Sequence, residues 1–223
     1  MNTESDKFIP YTAPVLDEQQ SLKAAADYFE KINQRRSLRE FSDRPVAREV
    51  IENILKAANC APSGAHKQPW TFCVISDPTL KQKIREAAEK EEYENYHGRM
   101  SEAWLKDLEA FETDWHKPFL TTVPYLIIVF KKPYDLIEGQ KHKNYYVNES
   151  VGLACGFLIN AIHEAGLATL THTPSPMNFL HKILERPENE KPYLLLPVGY
   201  PADEAKVPNL HRKNLSEISI WYE

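Results

Sequence analysis

Apolar residues recur every three or four positions in several stretches of the chain, a spacing that places them along one face of an α-helix. The first stretch builds its apolar face from Leu22, Ala25, Ala26, Phe29 and Ile32. A second helix is predicted to begin at Pro45, and its apolar face consists of Val46, Val50, Ile54, Leu55 and Ala58. A third follows Asp77-Pro78, where Asp77 can cap the helix and Pro78 is tolerated at the first helical position.

The same spacing predicts a long helix in the second half of the chain, ending at Gly166, and a shorter helix at residues 176–185. The long helix has the apolar positions Val147, Val151, Ala154, Leu158, Ala161 and Ala165. Gly152 and Gly156 lie four residues apart within it, so they either permit the close approach of another helix or mark a kink.

Four short runs rich in β-branched and aromatic residues predict strands. They are Trp70–Ile75, Pro124–Phe130, Leu167–Thr171 and Tyr193–Leu196, the last ending at Pro197-Val-Gly-Tyr-Pro201. The second run is apolar on both faces, so it is predicted to be a central strand. Helices alternating with these strands indicate an α+β fold. Residues 1–20, with Pro10 and Pro14, are predicted to form an extended N-terminal arm, and residues 21–223 a single domain with a lid at about residues 91–120.

Composition narrows the class of protein. The chain has 223 residues, 42% of them hydrophobic and 26% charged, as expected for a soluble globular domain. Its net charge of −5 argues against a nucleic-acid partner. No apolar run approaches the length of a membrane span and the start lacks a signal-peptide pattern, so we expect a cytoplasmic protein without a membrane partner. The three cysteines lack C-x-x-C spacing and the eight histidines lack H-E-x-x-H spacing, so no metal site is expected.

The loop Ala61-Pro-Ser-Gly-Ala-His66 joins the second helix to the first strand. Pro62 fixes its own φ, and Gly64 permits backbone conformations that other residues avoid. Ser63, Ala65 and His66 can then present backbone N–H groups to a ligand. The alternative is an ordinary turn at a helix C-terminus, which uses the same residue types.

Three further groups of residues suit ligand binding, and each has an ordinary alternative. Gln34-Arg-Arg-Ser-Leu-Arg39 is either an anion clamp or a solvated helix end. Glu92 and Tyr96 share a helix face and Lys117 follows in the lid segment, so the three either hold the two charges of an amino acid or are surface side chains. The hydroxyls of Thr171-His-Thr-Pro174 either donate to a flat heteroaromatic ring or satisfy turn backbone groups.

Taken together, these motifs resemble the flavin-dependent nitroreductase superfamily over about residues 34–215, and within it the branch that removes halogen from halotyrosines. The resemblance rests on the arginine cluster, the Ala61–Phe72 stretch, Glu91-Glu-Tyr-Glu-Asn-Tyr96 with Trp115-His-Lys117, Ala154-Cys-Gly156, Thr171–Pro174 and Leu196–Pro201. The Ala-Pro-Ser-Gly-Ala-His loop combined with the Glu-Tyr-Lys lid is highly specific, whereas the arginine cluster alone indicates only the superfamily.

The resemblance implies a nitroreductase-like fold with a central mixed sheet surrounded by helices, and FMN bound at the interface of an intertwined homodimer. The implied cofactor contacts are Arg35, Arg36, Ser37, Arg39, Pro62, Ser63, Gly64, Thr171, His172, Thr173 and Arg212. On the substrate side, the resemblance implies that the Ala65 N–H meets a phenolate, that Glu92 takes the ammonium and Lys117 the carboxylate, and that Tyr96 bridges them.

The implied activity is FMN-dependent reductive dehalogenation of mono- and diiodotyrosine to tyrosine and halide. Thr173 and Ala65 are the implied catalytic residues, with the Thr173 hydroxyl on the flavin N5. A general NAD(P)H-dependent nitro or quinone reductase and a non-catalytic flavoprotein that binds modified amino acids are the alternatives. The chain has no G-x-G-x-x-G fingerprint, so its electron donor, a reductase or another reductant, is left unidentified.

Overall fold

A computed structural model describes residues 7–223, and the first six residues of the predicted N-terminal arm lie outside this range. The chain divides into two compact units, and the boundary along the sequence falls between Arg35 and Arg36. The first unit contains helix α1, Glu18–Asn33. A capping box at Asp17 and Gln20 starts this helix, and none of its residues is buried.

The second unit contains the remaining helices and all the strands that the structure describes. Its helices are α2 (Arg48–Asn59), α3 (Pro78–Glu94), α4 (Glu102–Glu109), α5 (Phe119–Thr122), α6 (Val147–Glu164), α7 (Asn178–Ile183) and α8 (Leu215–Ile218). Its strands are β1 (Trp70–Ile75), β2 (Tyr125–Lys131), β3 (Tyr134–Ile137), β4 (Gln140–Lys143), β5 (Ala168–Thr169) and β6 (Lys191–Gly199). A 3₁₀ turn at Gly64–His66 and a π-helical turn at Asn95–Arg99 complete the regular structure.

The main sheet has the strand order β1-β2-β6-β5, with antiparallel pairing between neighbours. A parallel bridge between Ser37 and Thr169 adds a fifth segment at the β5 edge, so the sheet is mixed, as predicted. Strand β5 is shorter than the predicted Leu167–Thr171 run, and its ladder stops at the pair Thr169–Val198. The next residue of β6 is Pro197, which has no N–H to donate and therefore interrupts the ladder. The second strand pair, β3 and β4, is a separate hairpin that the apolar pattern does not predict.

The sheet is covered on both faces, which explains the continuous apolar run in β2. Ile127 and Val129 face a core cluster shared with α2 and α6. Leu126, Ile128 and Phe130 face the opposite cluster, shared with α3, α5 and α7. A strand buried on both sides must be apolar at successive positions, so the prediction of a central strand is confirmed.

Element boundaries agree with the sequence where a local signal exists. The Asp77 carboxylate accepts the Leu80 N–H at 2.6 Å, with Pro78 in the first turn of α3. Helix α2, by contrast, starts at Arg48 instead of at Pro45, because Ala47 is still extended and Val46 is buried before the helix begins. Among the described residues, no helix is long and apolar enough to cross a membrane.

Candidate active site

One face of α3 and the turn beyond it carry the predicted carboxylate and phenol. Glu92 lies in the last turn of α3 and Tyr96 in the π-helical turn, so the two side chains point the same way. The chain then passes through α4 and returns as an irregular segment that ends at Lys117, one residue before the N-cap of α5. Glu92 and Lys117 are 7% and 5% exposed. The fold therefore brings a carboxylate, a phenol and an ammonium from separate parts of the chain to one buried place.

Lys117 is loosely paired with Glu92 and held mainly by its own segment. Its Nζ lies 3.9 Å from Glu92 Oε2 and 5.5 Å from the centre of the Tyr96 ring. The same ammonium donates to the Thr113 hydroxyl at 3.3 Å and to the Asp114 carbonyl. The Tyr96 hydroxyl donates to the Thr113 carbonyl at 3.2 Å. A zwitterion placed against this pair could give each buried charge a closer partner of opposite sign, which would complete an alternating arrangement of four charges.

Burial dominates the electrostatics of the three groups. It lowers the pKa of the Lys117 ammonium, although Glu92 acts in the opposite direction. It raises the pKa of the Glu92 carboxyl, which Lys117 partly offsets, and it also raises the pKa of Tyr96. Each charged form is therefore poorly solvated and gains from a ligand of opposite charge. This is the electrostatic character expected of a binding site for an amino acid.

These residues line a cavity of about 220 Å³ that is also lined by the segment following β5. Of the predicted site residues, it brings together Arg39, Glu92, Tyr96, Lys117, Thr171, His172 and Thr173. Further lining residues were not predicted from the sequence: Met100, Trp104, Leu108, Thr113, Phe119 and Leu170. Their positions depend on the path of the lid and α5, which no local pattern specifies.

Thr171, His172 and Thr173 alternate in their exposure. Thr171 and Thr173 are exposed, whereas His172 is buried and its backbone pairs with Leu195 through N–H···O bonds of 2.9 and 3.1 Å. The His172 ring packs edge-on against Phe119, with ring centres 5.7 Å apart, and its Nε2 has no hydrogen-bond partner among the described residues. Burial, with Lys117 and Arg39 nearby, lowers the pKa of His172 to about 3, so the ring is neutral at physiological pH.

The residues of the arginine cluster, Arg35, Arg36, Ser37 and Arg39, lie in different environments. A second cavity, of about 460 Å³, is lined by Ser37 and Arg39 together with Phe111 and the segment around Pro208. The Arg36 guanidinium donates to the Pro208 carbonyl, and the Arg39 guanidinium lies 5.4 Å from the centre of the Phe111 ring. Burial lowers the pKa of Arg39. Arg35 belongs to the first compact unit, and Arg212 lies in the irregular segment after β6, outside the lining of either cavity.

The Ala61–His66 loop has an unusual backbone. Ala65 and His66 have φ values of 49° and 55°, in the left-handed region that costs a non-glycine residue roughly 1–2 kcal/mol. Gly64 is not in this region, so the sequence-based reason for a glycine here is wrong. The glycine is required sterically, because a Cβ at position 64 would lie 2.9 Å from the Tyr145 carbonyl oxygen and 3.0 Å from Tyr146 Cδ2.

Hydrogen bonds fix this loop and occupy one of the three N–H donors that the sequence suggested. The Gly64 N–H donates to Ser150 Oγ at 3.2 Å and the Gln68 N–H to Ser63 Oγ at 2.9 Å. The His66 N–H is used within the turn, on the Ser63 carbonyl, so it is not available to a ligand as the sequence suggested. The N–H groups of Ser63 and of Ala65, an exposed residue, have no acceptor among the described residues. Ala65 does not line the cavity that contains Glu92 and Lys117.

Comparison with known proteins identifies the family to which the sequence is similar. The family model for the nitroreductase family matches residues 32–200. An iodotyrosine deiodinase of Haliscomenobacter hydrossis is 61% identical over 216 residues, which cover 96% of this chain and 97% of that protein. Iodotyrosine deiodinase 1 of Homo sapiens is 44% identical, over 97% of this chain and 76% of the human protein.

A solved structure agrees with the sequence matches. It is a crystal structure of oxidized iodotyrosine deiodinase bound to FMN and 3-iodo-L-tyrosine, with a TM-score of 0.74 and 32% identity. The match covers 87% of this chain and 98% of that one.

Proposed function

Because this chain belongs to the nitroreductase family, in the branch of the iodotyrosine deiodinases, we propose that it is an FMN-dependent oxidoreductase that removes iodine reductively from mono- and diiodotyrosine. One observation of the structure carries the proposal. A single cavity unites the Glu92, Tyr96 and Lys117 cluster with the exposed Thr171 and Thr173 hydroxyls. A general nitro or quinone reductase has no need for a carboxylate and an ammonium placed to bind the two charges of an amino acid.

The residues present fit FMN. The 460 Å³ cavity is lined by Ser37, Arg39 and Lys206, whose side chains are donors suited to a phosphate, and also by Glu40 and Glu112. Thr171 and Thr173 add hydroxyls beside the neighbouring cavity. We assign FMN contacts to Arg35, Arg36, Ser37, Arg39, Pro62, Ser63, Gly64, Thr171, His172, Thr173 and Arg212. When bound and reduced, FMN supplies the electrons in single-electron steps.

The chain's own residues recognise the substrate at both ends. Glu92 accepts the ammonium, Lys117 donates to the carboxylate and Tyr96 bridges them. The Ala65 N–H donates to the phenolate oxygen. An ortho iodine acidifies the phenol well below the pKa of about 10 of tyrosine, so a site that holds the phenolate favours iodotyrosine over tyrosine.

The overall reaction replaces iodine by hydrogen. Two electrons and one proton enter, the carbon–iodine bond breaks, iodide leaves and a carbon–hydrogen bond forms. The lid pairs the substrate's charges away from water, which strengthens these interactions and fixes the ring for reaction. With FMN bound, the Thr173 hydroxyl would be one of the groups that hold it, and such a donor beside the cofactor would favour transfer of one electron at a time.

The working protein is a homodimer in this proposal. Apolar side chains are highly exposed in both compact units of the single chain, among them Tyr11 and Val15 near the N-terminus and Ile220, Trp221 and Tyr222 at the C-terminus, at 74–93%. Contact with a second copy would remove this apolar surface from water. A second copy could also supply the Ala65 loop to a cavity that Ala65 does not line in one chain.

We place the protein in the cytoplasm with an unidentified electron donor. Cys60, Cys73 and Cys155 are free thiols, which suits a reducing compartment.

The test is an anaerobic incubation of the FMN-loaded protein with diiodotyrosine and dithionite, followed by assay of tyrosine and iodide. We expect both products in the wild type and a large loss with Glu92→Gln or Lys117→Gln, whereas Lys106→Gln, at an exposed position of the lid, should keep full activity. Reduction of nitroaromatic compounds without tyrosine formation would indicate a general reductase. Tight binding of iodotyrosine without either product would indicate a non-catalytic binding protein.

A further inference from the structure

The position of Lys117 is determined by more than its contact with Glu92. The 3.9 Å between Lys117 Nζ and Glu92 Oε2 is the outer limit of an ion pair, and the Lys117 ammonium otherwise bonds to its own segment. The short link between this residue and α3 is made by the backbone. The Lys117 N–H donates to Glu89 Oε1 at 2.7 Å.

Glu89 is itself held in place. Arg85 Nε donates to the same Oε1 atom at 2.7 Å, and Arg85 Nη1 donates to the Thr121 hydroxyl at 3.0 Å. The Arg85 and Glu89 side chains are 26% and 17% exposed, so water weakens this pair less than a surface ion pair. Together they connect α3 to both ends of the short segment from Lys117 to Thr121.

Lys81 extends the same row by one helical turn. Its buried ammonium donates to the Val123 carbonyl at 2.6 Å and to the Thr121 carbonyl at 3.3 Å. Residues 81, 85 and 89 lie four apart and therefore form a ridge along one face of α3. Glu92 and Tyr96 continue that ridge. A single helix face therefore carries the side chains proposed to bind substrate and also forms the hydrogen bonds that hold the segment containing Lys117.

We propose that Glu89 is a positioning residue for substrate recognition, which fixes the backbone at Lys117 so that its ammonium stands beside Glu92 at a spacing suited to an α-amino acid. The inference rests on the proposed function of the cavity, because it concerns the group that holds the carboxylate of the substrate. Glu89 touches neither substrate nor cofactor in this role. Without it, the backbone at Lys117 loses its hydrogen bond to α3, whereas Arg85 and Lys81 can still bond to the Thr121 end of the segment.

The test compares two ligands that differ only in the group Lys117 holds. 3-Iodotyrosine has a carboxylate, and 3-iodotyramine has the same ring and ammonium without one. Each is titrated into the FMN-loaded wild type and into Glu89→Ala and Glu89→Gln, with flavin fluorescence as the readout. Glu86→Ala is the matched control, because Glu86 is exposed on the same helix and, within residues 7–223, its side chain bonds only to Gln82 in its own helix.

Glu89→Ala should weaken 3-iodotyrosine binding about tenfold or more, since a charge-assisted hydrogen bond is lost, and change 3-iodotyramine binding by less than about twofold. Glu89→Gln should recover most of the affinity, because its amide oxygen still accepts the Lys117 N–H. Equal loss of both ligands, loss of FMN, or failure of Gln to rescue would each overturn the positioning role. A wild type that binds neither iodinated ligand would instead overturn the proposed function.

Discussion

Adding a methyl group at position 64 tests whether the backbone of the Ala61–His66 loop donates a hydrogen bond to the substrate phenolate. In Gly64→Ala the new Cβ would lie 2.9 Å from the Tyr145 carbonyl oxygen, whereas ordinary van der Waals contact begins at 3.4 Å. The neighbour is backbone at the start of α6 and cannot rotate away. The loop must therefore move by about 0.5 Å, the difference between these distances, and the Ala65 N–H moves with it.

A displacement of this size is enough to weaken a hydrogen bond strongly. An N–H···O contact is best at about 2.7–3.2 Å, so the added distance removes most of its strength. A hydrogen bond to a charged group contributes about 1.5–3 kcal/mol, which corresponds to roughly 10- to 150-fold in affinity. We therefore expect Gly64→Ala to bind 3-iodotyrosine roughly 10- to 150-fold more weakly than the wild type.

The assay is a titration of the FMN-loaded, oxidised protein, with 3-iodophenylalanine as the second ligand. That ligand keeps the iodine and the zwitterion but has no phenol, so its affinity should be the same in the wild type and in Gly64→Ala. Gly98→Ala is the matched control, because a Cβ there would have no neighbour within 4 Å in the part of the chain that the structure describes. The reasoning would be refuted if Gly64→Ala bound 3-iodotyrosine within about twofold of the wild type. It would also be refuted if both ligands lost affinity equally, since that would indicate general damage to the site.

Three other outcomes follow from the same structure. Thr173→Ala should raise the ratio of nitroreduction to deiodination about tenfold by removing one hydrogen bond to the cofactor, whereas Thr173→Ser should keep the wild-type ratio in parallel assays of the two activities. Burial raises the pKa of Glu92 and lowers that of Lys117, so the affinity for iodotyrosine should fall both as the pH drops through the Glu92 pKa and as it rises through the Lys117 pKa. The assignment of the alkaline limb to Lys117 is tested with 3-(3-iodo-4-hydroxyphenyl)propanoate, a ligand that has no ammonium. Lys117→Arg should abolish the loss of affinity for this ligand at high pH. An unchanged loss of affinity would contradict the assignment. Because the pKa of His172 is about 3 when folded and about 6.5 when unfolded, protonation favours the unfolded chain, and stability should fall below pH 6.5 by about 2 kcal/mol at pH 5. Urea denaturation at pH 7 and pH 5 checks this, with His172→Gln expected to lose less stability on acidification and the exposed-site control His142→Gln expected to behave like the wild type.

Local signals in the sequence predicted much of the fold correctly. Asp77-Pro78 marks the start of α3, the run Trp70–Ile75 is β1 to the residue, and Gly166 follows α6 with a φ of 72° that suits glycine. Each of these depends on residues within a few positions of one another. Where the outcome depends on distant contacts, the pattern is insufficient: Pro197 lies within β6 instead of ending it, and the β3–β4 hairpin has no alternating apolar signal.

The candidate site shows the same division. Glu92 and Tyr96 could be paired from helical spacing alone, but Glu89, on the same ridge, gains its importance only from an N–H that lies 28 residues further along the chain. The interaction partners of His172 are likewise set by tertiary packing, which places its ring against Phe119 and leaves Nε2 without a partner among the described residues.

The sequence by itself determined which chemical groups are available, which helix face or loop carries each one, and which family the combination resembles. These properties follow from residue identity and from backbone periodicity, both of which act over short distances along the chain. Only the tertiary structure decided that Lys117 meets Glu92 in one cavity with Thr171 and Thr173, and that steric contact with Tyr145 requires glycine at position 64. Distances between groups and their degree of burial arise from packing between remote segments, and those two quantities set the charges and the donor geometry at the site.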